Sequence, residues 1–210
     1  MRPAAPTSPP PLSKRIGRTN AGVLPLLAVL VASVVNGPPA AAQEEGAPRA
    51  GLTILLLNGL GVRAGNAGIG LNPLARRLWR AGYDVYVDSH AMGRSAGVVP
   101  DVIIGHSMGG VAGLRLAARL AAYGAPEPVV ITIDAAPAAP PCPVSRCYAI
   151  RGPGFGPVAG AVNITARALG ARASSHLRLP AHPAVENYIL ARVVERPPSP
   201  VLSSDMLVDE

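Results

Sequence analysis

Aromatic residues are scarce in this chain: one Trp, one Phe and five Tyr occur among 210 residues. Proteins that bind single-stranded nucleic acid stack bases on aromatic side chains along a basic groove. The formal net charge is +7, but four of the 19 basic residues precede position 43 and all 12 acidic residues follow it. Residues 43–210 therefore carry a net charge of only +3, from 15 basic and 12 acidic residues, without a dense basic run. This composition argues against nucleic acid as a partner.

The N-terminal segment is organised like a secretory signal. A basic cluster over residues 14–18 precedes an apolar run over residues 21–35, and small residues follow up to Ala42. This order is typical of a signal peptide, and the run is shorter than the ~20 residues that span a bilayer. We expect cleavage after Ala42, which would remove residues 1–42 and leave a short linker over 43–50 in a secreted or periplasmic protein. If it is retained, the segment would instead anchor the protein to the membrane.

Only two cysteines are present, Cys142 and Cys147, and they lie close together in a proline-rich stretch. Because an exported protein meets an oxidising compartment, we expect them to form a short-loop disulfide that fixes the start of the following strand. Too few of the four histidines lie near the two cysteines in the sequence to form a metal site with them. No metal and no other cofactor is expected.

From Gly51 onward, short apolar runs alternate with helical patterns, as in parallel strands joined by crossover helices. The sequence predicts an α/β fold over residues 51–197, with a small, mostly parallel sheet flanked by helices, and a flexible tail over 198–210. Strands are predicted over residues 53–57, 84–88, 102–104, 129–133, 147–150 and 161–165, and helices from Asn72, Val111 and Pro183. In the second helix we expect Leu114, Ala118 and Ala121 to form the buried stripe.

The strongest functional signal is the sequence Gly105-His106-Ser107-Met108-Gly109. Gly-x-Ser-x-Gly alone is a weak pattern, but here it joins a buried strand to a long helix. In such a sharp turn the serine side chain is lifted above the sheet, and a Cβ at either glycine would collide with a neighbouring strand or helix. We therefore predict that Ser107 is a nucleophile, the alternative being a glycine-rich turn with an incidental serine.

Together with Gly110, these residues resemble the nucleophile elbow of the α/β-hydrolases, in particular of lipase-like and esterase-like members. The segment from Leu55 to Gly61 resembles the strand and oxyanion loop of that family, with Asn58 where the family usually has histidine. The resemblance covers about residues 51–195. It implies an α/β-hydrolase fold that lacks the usual first two strands and an inserted cap.

The resemblance also implies a triad in the order serine, acid, histidine. Asp134 directly follows a predicted strand, and no Asp or Glu occurs between it and Glu186. Asp134 is thus the expected acid, the alternative being an aspartate that serves only its own turn. His176 and His182 both follow the last strand, and His176 is preferred as the base because His182 precedes Pro183, where it suits a helix cap.

The two other histidines fit the base less well. His90 precedes the nucleophile and breaks the family order. His106 lies within the elbow, where we expect its side chain to be packed, hydrogen-bonded and directed away from the active face. For the oxyanion hole we expect the backbone N–H groups of Leu60 and Met108.

The sequence therefore predicts an exported serine hydrolase that cleaves carboxylic esters through an acyl-enzyme on Ser107. Its partner would be a small-molecule or lipid ester, and no oligomeric state is predicted. The same triad would also suit an acyltransferase or a thioesterase. A non-catalytic, hydrolase-like binding protein is a third possibility, if Asp134 and His176 do not converge on Ser107.

Overall fold

A computed structural model of the chain describes residues 51–63 and 66–195. The strands are β1 Thr53–Asn58, β2 Asp84–Ser89, β3 Val102–His106, β4 Val129–Ile133, β5 Cys147–Arg151 and β6 Val162–Thr165. The α-helices are α1 Asn72–Arg80, α2 Met108–Ala122 and α3 Pro183–Val194, and a short 3-10 turn, Leu179–Ala181, precedes α3. The predicted signal segment 1–42, the linker 43–50 and the tail 198–210 lie outside the described residues.

The six strands form one sheet in the order β2-β1-β3-β4-β5-β6, and every neighbouring pair is parallel. The predicted small α/β fold is thus confirmed. All residues of β3 and β4 are buried, whereas the edge strands β2 and β6 are largely accessible. Strands that are apolar at every position need cover on both faces, which explains why the uninterrupted apolar runs occupy the middle of the sheet.

The helices divide between the two faces of the sheet. Ile54 and Leu56 belong to a core that includes the buried residues of α1 and α3, whereas Leu55 and Leu57 belong to a second core with α2. Successive strand side chains point to opposite faces, so β1 contributes to both cores. None of the helices in residues 51–63 and 66–195 is long and apolar enough to cross a membrane.

Helix α2 buries a different stripe from the predicted one. Leu114 is buried as expected, but Ala118 and Ala121 are exposed, and Ala117 lies in the core instead. The reason is that α2 turns Gly113 toward the sheet, where a Cβ would lie only 2.8 Å from the Ile103 side chain. Because the backbone approaches the sheet on that side, the helix is rotated away from the stripe that apolarity alone predicts.

The predicted disulfide between Cys142 and Cys147 is present and closes a loop directly before β5, with a Cα–Cα distance of 6.4 Å. The disulfide lies on the α2 side of the sheet, where Cys147 is buried in the second core. The cross-link thus joins the β4–β5 connection to the start of β5, as the sequence analysis expected.

The strand order places a crevice above β1 and β3. The chain passes from β1 to β2 on one side and then to β3 on the other side of β1. Loops that leave the carboxyl ends of two such strands diverge, and ligands of open α/β sheets bind in the gap between them. Gly59 and Ser107 follow these two strands. Among the described residues no cap is inserted over this edge, and the connection from β2 to β3 contains no helix.

Candidate active site

Ser107 occupies a strained turn between β3 and α2. Its backbone angles are φ 57° and ψ −125°, a combination that L-residues rarely adopt and that costs on the order of 1–3 kcal/mol. The surrounding backbone holds this conformation, since the Ser107 N–H donates to the Ile133 carbonyl at 2.9 Å. Strained residues of this kind cluster at functional sites.

Glycines make this sharp turn possible. A Cβ on Gly105 would lie 2.5 Å from the Gly109 carbonyl oxygen, and one on Gly109 would collide with the Leu57 carbonyl. The predicted reason for both flanking glycines is therefore confirmed: β1, β3 and α2 approach one another too closely for any side chain.

The loop after β1 reaches the serine side chain. A Cβ on Gly59 would lie 2.7 Å from the Ser107 Cβ, so only glycine permits this approach. The next residue is Leu60, and neither its backbone N–H nor that of Met108 donates a hydrogen bond within the described part of the chain. Met108 also begins a helix of 15 residues, whose N-terminus carries a positive partial charge. Two unused donors thus flank Ser107, as the oxyanion-hole prediction requires.

Asn58, which stands where the resembled family has histidine, anchors this loop. Its side chain is buried, donates to the Asn72 amide oxygen at 3.1 Å and accepts from the Leu71 N–H at 2.9 Å. Asn72 does not cap α1; its side chain donates to the carbonyls of Arg63 and Asn66. The asparagine pair organises the loop, and the Leu60 N–H stays unused within the described residues.

Asp134 lies at the same edge of the sheet as Ser107, because the preceding residues Ile133 and His106 are paired between β4 and β3. Its side chain is 1% exposed. One carboxylate oxygen accepts from the Gly152 N–H at 2.5 Å, and the other accepts from His176 Nδ1 at 2.9 Å. Both donors are distant in sequence, so the carboxylate does not merely serve its own turn.

His176 is the histidine that meets Asp134. A carboxylate only accepts hydrogen bonds, so Nδ1 carries a hydrogen, and in the neutral ring Nε2 has the lone pair. The ring stacks on Phe155 at a centroid distance of 4.8 Å, and the side chain is 33% exposed. Within the described residues no hydrogen bond joins it to the Ser107 hydroxyl. His182 instead caps α3 by accepting from the Ala184 N–H, as its position before proline suggested.

His106 has a role that the sequence analysis missed. It is fully buried and hydrogen-bonded as expected, but its ring lies 4.5 Å from that of His176 instead of pointing away from the site. Burial, and next the charge of His176, lower the pKa of His106 to about 4. The neutral ring donates from Nε2 to the His176 carbonyl at 3.1 Å and holds the backbone that carries His176.

Two further contacts were not predicted, the Gly152 N–H on Asp134 and the Phe155 ring on His176. The sequence signal for both is the Gly/Pro-rich segment that follows β5. Glycine in a strand-to-loop junction marks a close backbone approach, and a Cβ on Gly152 would lie 3.1 Å from an Asp134 oxygen. The segment after β5 therefore contributes a backbone donor to Asp134 and not a carboxylate of its own.

Within residues 51–63 and 66–195, no group of three His, Cys, Asp or Glu side chains is arranged to hold a metal ion. No protein-family model matches this chain, and neither does any curated protein.

Proposed function

We propose that this protein is an exported serine hydrolase of the α/β-hydrolase type, similar to lipases and esterases, which cleaves carboxylic esters through an acyl-enzyme on Ser107. The observation that carries the proposal is the Asp134–His176 hydrogen bond of 2.9 Å between residues 42 positions apart. It lies at the sheet edge where a strained serine follows β3. A serine hydroxyl needs such an oriented base to become a nucleophile at neutral pH.

In the proposed reaction, Ser107 Oγ attacks the ester carbonyl carbon while His176 Nε2 takes the hydroxyl proton. Asp134 keeps His176 in the tautomer that can accept this proton and stabilises the imidazolium that forms. The carbonyl oxygen becomes an oxyanion, for which the N–H groups of Leu60 and Met108 are the available donors. The leaving alkoxide takes the proton from His176. Water then attacks the acyl-enzyme by the same route and releases the acid.

A cavity of about 190 Å³ beside Met108 bears on the acyl-chain preference. It is lined by apolar residues and by the polar side chains of His90 and Arg115, the apolar ones being Met108, Val111, Ala112, Ala136 and Pro137. It begins at a proposed oxyanion donor, where the acyl group of a bound ester would start. Small apolar side chains form much of its wall, and the volume is below the range of drug-sized ligand pockets, roughly 300–1,000 Å³. A short acyl chain therefore fits this cavity best.

Labelling with a fluorophosphonate probe tests the nucleophile. Wild-type protein should be labelled and should hydrolyse p-nitrophenyl butyrate, and Ser107→Ala should abolish both. The matched control is Ser175→Ala, which removes an exposed hydroxyl one residue from the proposed base and should leave labelling intact. Equal labelling of Ser107→Ala and wild type would disprove the proposal and would favour a non-catalytic binding protein.

The site of action is part of the proposal and rests on the N-terminal charge and apolarity pattern. Protein recovered from the export compartment should begin near Gln43. N-terminal sequencing that still finds the apolar run of residues 21–35 would contradict cleavage and would favour a membrane anchor.

A further inference from the structure

A second cavity, of about 390 Å³, lies at the carboxyl ends of β5 and β6. Its volume is within the range of small-molecule pockets. Three arginines line it, Arg151, Arg167 and Arg172, together with Thr165 and Gly152. Guanidinium groups bind carboxylate and phosphate oxygens, so a wall that contains three arginines suits a negatively charged ligand.

The chain itself does not neutralise these arginines. Among the described residues, the arginines that form ion pairs with carboxylates are Arg77, Arg94 and Arg192, and none of these lines the cavity. Asp134, whose carboxylate accepts from the cavity residue Gly152, has both oxygens occupied, by the Gly152 N–H and by His176. The positive charge of the cavity is therefore available to a ligand.

Arg151 has guanidinium donors that the described residues use only in part. Its Nη1 donates to the Phe155 carbonyl at 3.2 Å, and its Nε is buried without a hydrogen-bond partner among the described residues. Because the Nε is closed to solvent, an oxyanion in the cavity would meet the Nη groups, which bind carboxylate and phosphate oxygens.

We propose that this cavity is a binding site for a phosphate or carboxylate group. Arg151, Arg167 and Arg172 would hold its oxygens. Thr165 Oγ1 accepts from the Ala168 N–H and keeps its hydroxyl hydrogen to donate. The cavity shares Gly152 with the support of Asp134, and Arg151 contacts the Phe155 that stacks on His176. A bound anion therefore lies next to the proposed triad.

Calorimetric titration of the exported protein with inorganic phosphate at low ionic strength tests the site. Wild type should bind phosphate saturably, and Arg167→Gln and Arg172→Gln should each weaken binding about tenfold, as expected for the loss of one charged donor. Arg119→Gln is the matched control, since Arg119 is an exposed arginine of α2 that does not line the cavity. Absence of saturable binding, or equal weakening by Arg119→Gln, would overturn the proposal.

This measurement does not depend on catalysis. Ser107→Ala should bind phosphate as wild type does, so the anion site and the proposed esterase activity can fail separately. A marked loss of phosphate binding in Ser107→Ala would count against a distinct site.

Enzyme kinetics distinguish two sources of the anion, the charged end of a substrate and a free anion in solution. This kinetic experiment alone rests on the proposed function. A p-nitrophenyl ester whose acyl chain ends in a carboxylate is compared with neutral p-nitrophenyl butyrate. If the cavity takes the anionic end of a substrate, Arg172→Gln should raise KM about tenfold for the charged ester only, and phosphate should compete with it. If the cavity takes a free anion, phosphate should change the rates of both esters equally. An unchanged rate for both esters at phosphate concentrations that saturate wild type would refute a link to the site.

Discussion

Replacing Asp134 with asparagine preserves the size of the side chain but removes the property on which the proposed mechanism depends. The carboxylate accepts from two donors, the Gly152 N–H at 2.5 Å and His176 Nδ1 at 2.9 Å. Asparagine offers one accepting oxygen and one NH₂ group that only donates. One of the two contacts must therefore become a donor facing a donor, or the histidine must change its tautomer.

The magnitude depends on which way the amide turns. If its oxygen stays on Gly152, the NH₂ group faces His176, which must move its hydrogen to Nε2 and can no longer take the serine proton. A wrong tautomer lowers kcat about 10⁴-fold, equivalent to about 5 kcal/mol of activation free energy. If its oxygen turns to His176, the NH₂ group opposes the Gly152 N–H, and the unsatisfied buried groups cost about 1–3 kcal/mol of folding free energy.

The assay is hydrolysis of p-nitrophenyl butyrate, together with urea unfolding of the same preparations. Asp88→Asn is the matched control, because Asp88 is also a buried aspartate at the carboxyl end of a strand. It accepts from Ser95 and Arg94 rather than from a histidine, so its replacement should lower stability and leave kcat nearly unchanged. A folded Asp134→Asn protein with kcat within tenfold of wild type, and no loss of stability, would refute the reasoning.

Three further predictions follow from contacts outside the acid–base pair. Gly59→Ala should remove most esterase activity, because its Cβ would lie 2.7 Å from that of the nucleophile, whereas Gly68→Ala in the same loop meets open space and should be neutral; equal rates would contradict the close approach. His106 has a pKa of about 4 in the folded protein and an ordinary pKa of 6.5, so its ring binds a proton more readily in the unfolded chain. The free energy of unfolding should fall by about 3 kcal/mol from pH 7 to pH 4, and His106→Asn should flatten that part of the profile; an unchanged profile in the variant would contradict a neutral buried ring. Unreduced denatured protein should contain no free thiol, and Cys142→Ser with Cys147→Ser should cost about 2 kcal/mol in urea unfolding, the loop entropy of so short a cross-link; two titratable thiols would contradict the bond.

Most of the fold could be predicted because the central strands are apolar at most positions and the helices are bounded by glycine and proline. β4 begins and ends at the predicted residues 129 and 133. The buried stripe of α2 could not be predicted, because apolarity ranks Ala118 above Gly113, while backbone approach to the sheet reverses that order. A glycine pattern indicates close packing only once the neighbouring strand is known.

For the candidate site, Ser107 and its turn could be predicted from the residues alone, since the glycines at 105 and 109 have meaning only where a strand and a helix meet closely. Asp134 could be predicted as the acid because it directly follows a strand and no Asp or Glu occurs between it and Glu186. The choice of His176 over His182 was a preference, and only tertiary structure brought one of them to the carboxylate.

The contacts that support His176 and Asp134 depend on the tertiary fold. His106 holds the His176 carbonyl, Phe155 stacks on the ring and Gly152 donates to Asp134. These groups come from two different strand ends, those of β3 and β5, and no local pattern of apolarity or turn residues records which loops will meet there. Hydrogen bonds and ring contacts between distant loops depend on how far each loop folds back over the sheet, which the packing of the whole domain decides.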